Sequence, residues 1–156
     1  MNETPPVSIS LENLGIPHRV FHHENLVTSL EQAARERGQR PEQVVRSILF
    51  RIAGDEFVMV LAAGPAQISW KLLRKLLGKS RISMATEDEV LAVTGYRIGT
   101  VGPFGTSRPL KVLIEARVLS EEEISIGSGM RNTAVVLRSA DLRRGLEDAK
   151  VVSLNE

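Results

Sequence analysis

Val44-Val45-Arg46-Ser47-Ile48-Leu49-Phe50-Arg51-Ile52-Ala53, then Gly54-Asp55-Glu56, then Phe57-Val58-Met59-Val60-Leu61-Ala62-Ala63 is the stretch that decides the fold. Both arms are rich in Val, Ile and Phe, which fit a pleated surface, and the residues between them carry the glycine and aspartate of a turn. The segment therefore predicts a β-hairpin, and arms this apolar belong in the middle of a sheet. One residue breaks the pattern. Arg46 sets a cation inside the first arm, where its side chain either snorkels to solvent or meets an anion.

Toward the N-terminus, Ile9–Gly15 predicts a short helix ended by Gly15 with Pro17 beyond it, and His18–His23 alternates as a strand. Thr28-Ser29-Leu30-Glu31 has the spacing of a capping box, opening a helix that runs to Gly38. Toward the C-terminus, Ser69–Leu77 is amphipathic: Trp70, Leu73, Leu76 and Leu77 share one side, Lys71, Arg74 and Lys75 the other, and Gly78 stops it. Arg81–Met84 predicts a short strand, and Thr86-Glu87-Asp88-Glu89 caps a further helix ending at Gly95. Tyr96–Pro109 holds three glycines and two prolines in fourteen residues, too irregular for regular structure and long enough for a binding loop. Strands are expected at Lys111–Ala116, Ile124–Ile126 and Thr133–Leu137, with Gly127-Ser128-Gly129 turning between the last two. A short helix at Asp141–Leu146 and a strand at Lys150–Ser153 follow. Strands arriving in runs, with helices unevenly interspersed, indicate an α+β fold with a mixed sheet.

At 156 residues and 42% hydrophobic, the chain fits one core, so residues 1–156 are read as a single domain. The 20 basic and 19 acidic residues nearly cancel, so no global field draws the protein to nucleic acid or membrane, and any RNA contact is local. The cluster Lys71, Arg74, Lys75, Lys79 and Arg81 is either such a contact or a solvated helix face. With no cysteine there is no disulfide, thiolate nucleophile or thiolate metal site, and three histidines leave few zinc ligands. Met1–Pro6 has no basic lead into an apolar stretch, and nowhere do about 18 apolar residues run together, so a soluble, cytoplasmic protein with no membrane partner is expected.

Several motifs fail. Gly78-Lys79-Ser80 has the end of a phosphate-cradling loop, but Leu73 stands where its first glycine is needed and a helix precedes it. Gly127-Ser128-Gly129 lacks the spacing of a nucleophile elbow, since Ile126 and Met130 flank it. His22-His23-Glu24 places successive strand residues on opposite faces with no third ligand nearby, so no metal is expected; one histidine remains a candidate for binding or proton transfer. Gly99-Thr100-Val101-Gly102-Pro103-Phe104-Gly105 survives. Its glycines permit close backbone approach to a ligand and Pro103 fixes the chain's direction, so the loop can aim amide N–H groups inward, or it is an ordinary surface turn.

Taken in order, the motifs resemble the YbaK/prolyl-tRNA synthetase-associated family over about Leu14–Val152. They are Glu31-Gln32-Ala33-Ala34 leading a helix; Glu42-Gln43-Val44-Val45-Arg46-Ser47-Ile48-Leu49; Met84-Ala85 before a helix; and Thr94-Gly95-Tyr96-Arg97-Ile98-Gly99-Thr100-Val101-Gly102-Pro103-Phe104-Gly105. The resemblance implies a mixed, barrel-like β-sheet flanked by helices. It also implies a free-standing hydrolase that cleaves the ester joining a wrong amino acid to tRNA, above all tRNA(Pro) carrying alanine, cysteine or another small residue. The partners implied are the 3′ acceptor end of aminoacyl-tRNA and prolyl-tRNA synthetase, not DNA, and no cofactor is called for. The alternative is a non-catalytic module of the same fold that binds tRNA ends or a synthetase.

By the same resemblance, the backbone of Gly99, Val101, Gly102 and Pro103 lines the aminoacyl pocket and carries catalysis. Arg46 stands where the family has a lysine that anchors the terminal adenosine's phosphate, keeping the charge in a longer, flatter head. Gly127, Ser128 and Gly129 close the site. Ser47, beside the cation, and Glu115, where an aspartate is usual, are further candidates, and Phe21, His22 and Phe104 complete the expected substrate contacts. The chemistry implied is substrate-assisted, without a metal or a side-chain nucleophile: an aminoacyl ester is already activated, so the protein need only hold it, place a water and stabilise the carbonyl oxygen.

Overall fold

The computed structural model describes residues 3–155; Met1, Asn2 and Glu156, the ends of the expected 1–156 domain, lie outside the described residues. Its strands fall into two sheets. The central hairpin is β2 (Val45–Ala53) and β3 (Glu56–Ala63), antiparallel in the register Arg46↔Ala62 and Ser47↔Leu61. β3 also pairs in parallel with β5 (Lys111–Glu115), and β5 with β8 (Lys150–Val152), while β4 (Ser83–Met84) meets β2 only at Phe50 and Arg51. The order is β4-β2-β3-β5-β8, with the hairpin inside the sheet as its composition predicts. The second sheet is antiparallel, β1 (Arg19–His22), β7 (Thr133–Arg138) and β6 (Glu123–Gly127) in the order β1-β7-β6. Between the sheets there is an isolated parallel bridge, Val44↔Ser125. The α+β expectation holds; the strands do not close into a barrel.

Among the described residues five α-helices surround the sheets: α1 (Pro6–Asn13), α2 (Leu30–Glu36), α3 (Trp70–Leu77), α4 (Glu87–Thr94) and α5 (Ser139–Gly145). The expected box on α4 is present, with Thr86 Oγ1 accepting from Glu89 N–H and the Glu89 carboxylate accepting from Thr86 N–H. On α2 the cap shifts by one residue. Ser29, not Thr28, is the extended residue whose hydroxyl accepts from Gln32 N–H, and Thr28 donates instead to the Gln32 side chain. The expected helix at Ile9–Gly15 begins earlier, at Pro6, where proline's missing N–H costs a helix nothing.

The hairpin's alternation sorts the core into two layers. Val45, Leu49, Met59 and Leu61 face the second sheet, packing with Ile124, Ile126, Val135 and Leu137. Ile48, Phe50, Val58 and Val60 face the other way, toward Leu73 of α3. Among the described residues no helix is long and apolar enough to cross a membrane.

Candidate functional site

β2 runs beside β3 for its whole length, but its other edge is covered only at its ends, by the Val44↔Ser125 bridge and by β4 at Phe50 and Arg51. Between those ends the edge opens into a cleft of about 280 Å³. Val45, Ser47 and Leu49 form one wall; Ile126 and Gly127 of β6 with Thr133 of β7 form another; Met84, Ala85 and Val90 close one side, and Ile98, Gly99 and Val101 come from the irregular loop. Leu49 C=O accepts from Ala85 N–H, so it points to this edge, and strand alternation turns the backbone N–H and C=O of Ser47 the same way.

Ser47 is the one described residue with a buried side-chain polar atom, its Oγ, that has no hydrogen-bond partner. It shares a face with Val45 and Leu49. A buried hydroxyl without a partner costs about 1–3 kcal/mol, and such an atom on a cleft wall is poised for a ligand.

Arg46, one residue earlier, leaves the opposite face of the strand. Its Nε donates to Gly64 C=O at 2.7 Å and its Nη2 to Ala66 C=O at 2.6 Å, in the loop between β3 and α3. The side chain therefore neither snorkels freely nor points at Gly99, although Arg46 and Gly99 border the same cleft. Partial burial holds its pKa below the ordinary arginine value.

The loop and the turn after β6 are locked backbone to backbone. A Cβ on Gly102 would lie 2.2 Å from Gly127 C=O, and one on Gly127 would lie 2.0 Å from Val101 C=O, so neither position admits a side chain. Gly129 N–H donates to Thr100 C=O at 2.8 Å, and Val7 N–H to Ser128 C=O at 3.1 Å. Gly99 is different: it has φ +87° and open space around it. The amides of Gly99 and Val101 donate to no acceptor among the described residues.

Several expected contacts lie elsewhere. Glu115 is fully buried, with Oε1 accepting from Arg117 Nε–H and N–H and Oε2 accepting from Leu154 N–H, outside the cleft. Burial alone raises its pKa, but these donors outweigh it and hold the carboxyl below its usual range. Phe104 packs in the core, and Ser128 Oγ is occupied within its own turn, accepting from Met130 N–H and donating to Thr133 C=O. Gly102 and Pro103 are buried behind the lining residues rather than among them. Phe21 and His22 border a separate depression, with His22 reaching the cleft only through a contact of 3.3 Å to Thr133 Oγ1.

One residue the sequence does not flag stands in the wall. Arg37, the C-cap of α2, lines the cleft and donates from Nε to His23 Nε2 at 3.0 Å and from Nη1 to Ser125 Oγ at 2.9 Å. A basic residue at a helix C-terminus needs no functional explanation, so nothing in the sequence sets it apart.

A sequence profile of the family described as "Aminoacyl-tRNA editing domain" matches residues 23–144. The uncharacterised protein YwhH of Bacillus subtilis is 32% identical over 142 residues, covering 86% of this chain and 89% of that protein. The multifunctional Ser/Thr-tRNA deacylase ProXp-y of Escherichia coli K12 is 28% identical over 138 residues, 86% of this chain and 82% of its own length. Proline–tRNA ligases match too, the chain spanning 20% and 22% of the length of two of them. A crystal structure described as a candidate trans-editing enzyme for prolyl tRNA synthetase superposes with a TM-score of 0.85 at 25% identity, covering 97% of this chain and 95% of that one.

Proposed function

Since this chain belongs to the aminoacyl-tRNA editing domain family, we propose that it hydrolyses the ester of mischarged aminoacyl-tRNA, acting on tRNA(Pro) that carries alanine, cysteine or another small amino acid. The observation that carries this reading is the cleft at the open edge of β2, where the unpartnered Ser47 Oγ and the undonated amides of Gly99 and Val101 border one small, largely apolar space. At about 280 Å³ it sits at or below the roughly 300–1,000 Å³ of pockets for drug-sized ligands, which suits a small aminoacyl group. A synthetase separates amino acids that differ by a methylene by only about 1–3 kcal/mol, which is why a second hydrolytic sieve is needed.

In this mechanism the apolar wall of Val45, Leu49 and Ile126 receives the amino acid's side chain. Ser47 Oγ and the Ser47 backbone edge take its polar groups, and the amides of Gly99 and Val101 meet the carbonyl oxygen as it gains charge. Water attacks the carbonyl carbon, the ester C–O bond breaks, and the ribose oxygen leaves with a proton; a neighbouring ribose hydroxyl assists. Arg46 holds the β3–α3 loop beside the cleft through the Gly64 and Ala66 carbonyls, and a prolyl-tRNA synthetase is the partner that supplies the mischarged tRNA.

The test is a deacylation panel: tRNA(Pro) carrying Ala, Cys or Ser with wild type, Arg46→Lys and Arg46→Ala. Ester loss from at least one substrate, reduced about tenfold or more by Arg46→Ala and less by Arg46→Lys, is expected. One observation favours a second reading. The Arg46 guanidinium is already engaged by two carbonyls, which suits a module that binds tRNA ends without turnover; binding with no ester loss on any substrate would decide for it.

A further inference from the structure

The cleft does not end at Gly99. A second chamber of about 340 Å³ adjoins it, and Arg37, Ile98, Gly99 and Thr133 border both. The two differ in chemistry. The first is walled mainly by aliphatic residues, whereas the second adds His23, Arg131 and Asn132.

Arg37 is the cation of the shared wall; its direct hydrogen-bond partners are an imidazole and a hydroxyl, and the carboxylate that acts on it, Glu36, lies beyond His23. Its Nε–H can only donate, so His23 Nε2 must accept; the His23 proton then sits on Nδ1 and is donated to Glu36 Oε1 at 2.7 Å. Ser125 Oγ, which accepts from Arg37, donates in turn to Gln39 Oε1. No carboxylate lies within ion-pair distance of Arg37 among the described residues. Burial pulls its pKa down to about 10, so it is still charged at neutral pH. Arg131, exposed on the same chamber, likewise has no ion-pair or hydrogen-bond partner for its side chain among the described residues. A half-buried guanidinium, clamped on two sides by an imidazole and a hydroxyl and with three N–H groups left over, is a preorganised receptor for an oxyanion.

We propose that this second chamber is the subsite for a phosphodiester of the tRNA acceptor end, with Arg37 as the positioning residue that grips it and Arg131 as a second cation on the same chamber. The scissile ester then lies over Gly99, with the amino acid in the apolar chamber and the nucleotide in the polar one. This rests on the editing reading but assigns the phosphate to Arg37 rather than to Arg46, whose guanidinium is directed at Gly64 and Ala66.

The experiment is a binding cycle between one protein charge and one ligand charge. A 3′-terminal CCA trinucleotide with a native linkage between its last two nucleosides is compared with one carrying a neutral methylphosphonate there, on wild type, Arg37→Met and Arg131→Met. Wild type should prefer the charged ligand by about tenfold or more. Arg37→Met should remove most of that preference while binding the neutral ligand as wild type does, and should lower the salt slope by about 0.7, the share of a single phosphate on a single strand. Arg131→Met, a surface change that leaves the fold intact, should remove a smaller share of the preference, about twofold to fivefold, and serves if Arg37→Met does not fold. An equal loss for both ligands, or an unchanged preference in both variants, overturns the proposal while leaving the editing reading to the deacylation panel. Wild type that binds neither trinucleotide contradicts both.

Discussion

Glu115 and Ser47 are both polar side chains set inside the five-stranded sheet, and their surroundings treat them in opposite ways. Each Glu115 carboxylate oxygen meets a donor from Arg117 or Leu154, so the group ties β5 to the 3₁₀ turn after it and to the C-terminal segment. Ser47, two strands away on β2, has a buried hydroxyl that meets nothing and a backbone edge that no strand covers. A charge that finds its full complement within the chain serves the fold. A polar atom left without one, on the wall of a cleft, is held ready for something from outside.

The contrast can be broken by mutation. Glu115→Ala should cost the most, about 3 kcal/mol, because it strips the partner from Arg117 and leaves buried donors unsatisfied. Chemical denaturation should show that loss, with the deacylation rate of the remaining folded protein unchanged. The pH dependence has a definite sign. The native carboxyl titrates below its ordinary range, so its contribution is present above that range and is lost as pH falls through the native value. The gap in Tm between wild type and Glu115→Gln should therefore narrow on acidification.

Gly127→Ala should come next, at about 2 kcal/mol, since its Cβ would collide with the backbone carbonyl of Val101 and a carbonyl cannot rotate away as a side chain can. Deacylation should fall with it, because the displaced loop carries Gly99 and Val101; a stable and fully active variant would show that the loop is not held by that contact. The smallest effect on stability belongs to Ser47→Ala. Removing a hydroxyl without a partner should leave Tm unchanged or raise it slightly, while deacylation falls about tenfold. A destabilised Ser47→Ala with normal turnover would reverse the comparison.

Much of this fold is legible in the sequence, for local reasons. The hairpin follows from its apolar arms and Gly54 turn, and α3 and α4 from Ser69, Gly78, Thr86 and Gly95, all of which act within a few residues of themselves. The displaced cap on α2 shows the limit: Thr28 and Ser29 both offer a hydroxyl, and only backbone geometry selects the second. The parallel pairing of β3 with β5 and the division into two sheets are long-range facts with no local signature.

For the site, the glycine-rich loop stands out in the sequence for close approach to a ligand, whereas Gly102 and Gly127 serve a close approach of backbone to backbone. Strand alternation alone places Arg46 and Ser47 on opposite faces, and Arg46 duly engages Gly64 and Ala66. Glu115 and Phe104 look like site residues because sequence shows their type and not their surroundings; both are taken up by the interior. Arg37 escapes notice for the opposite reason. Its type and position suit a helix end, and only the folded chain puts it in the wall of both chambers.

On the proposed function, an esterified nucleotide end enters at the open edge of β2. Backbone amide chemical shifts, followed by NMR while a non-hydrolysable 3′-alanylamido analogue of adenosine is added, test it directly. The largest changes should fall on Ser47, Gly99 and Val101. Changes confined to the basic face of α3, at Lys71, Arg74 and Lys75, with those three amides unmoved, would contradict it.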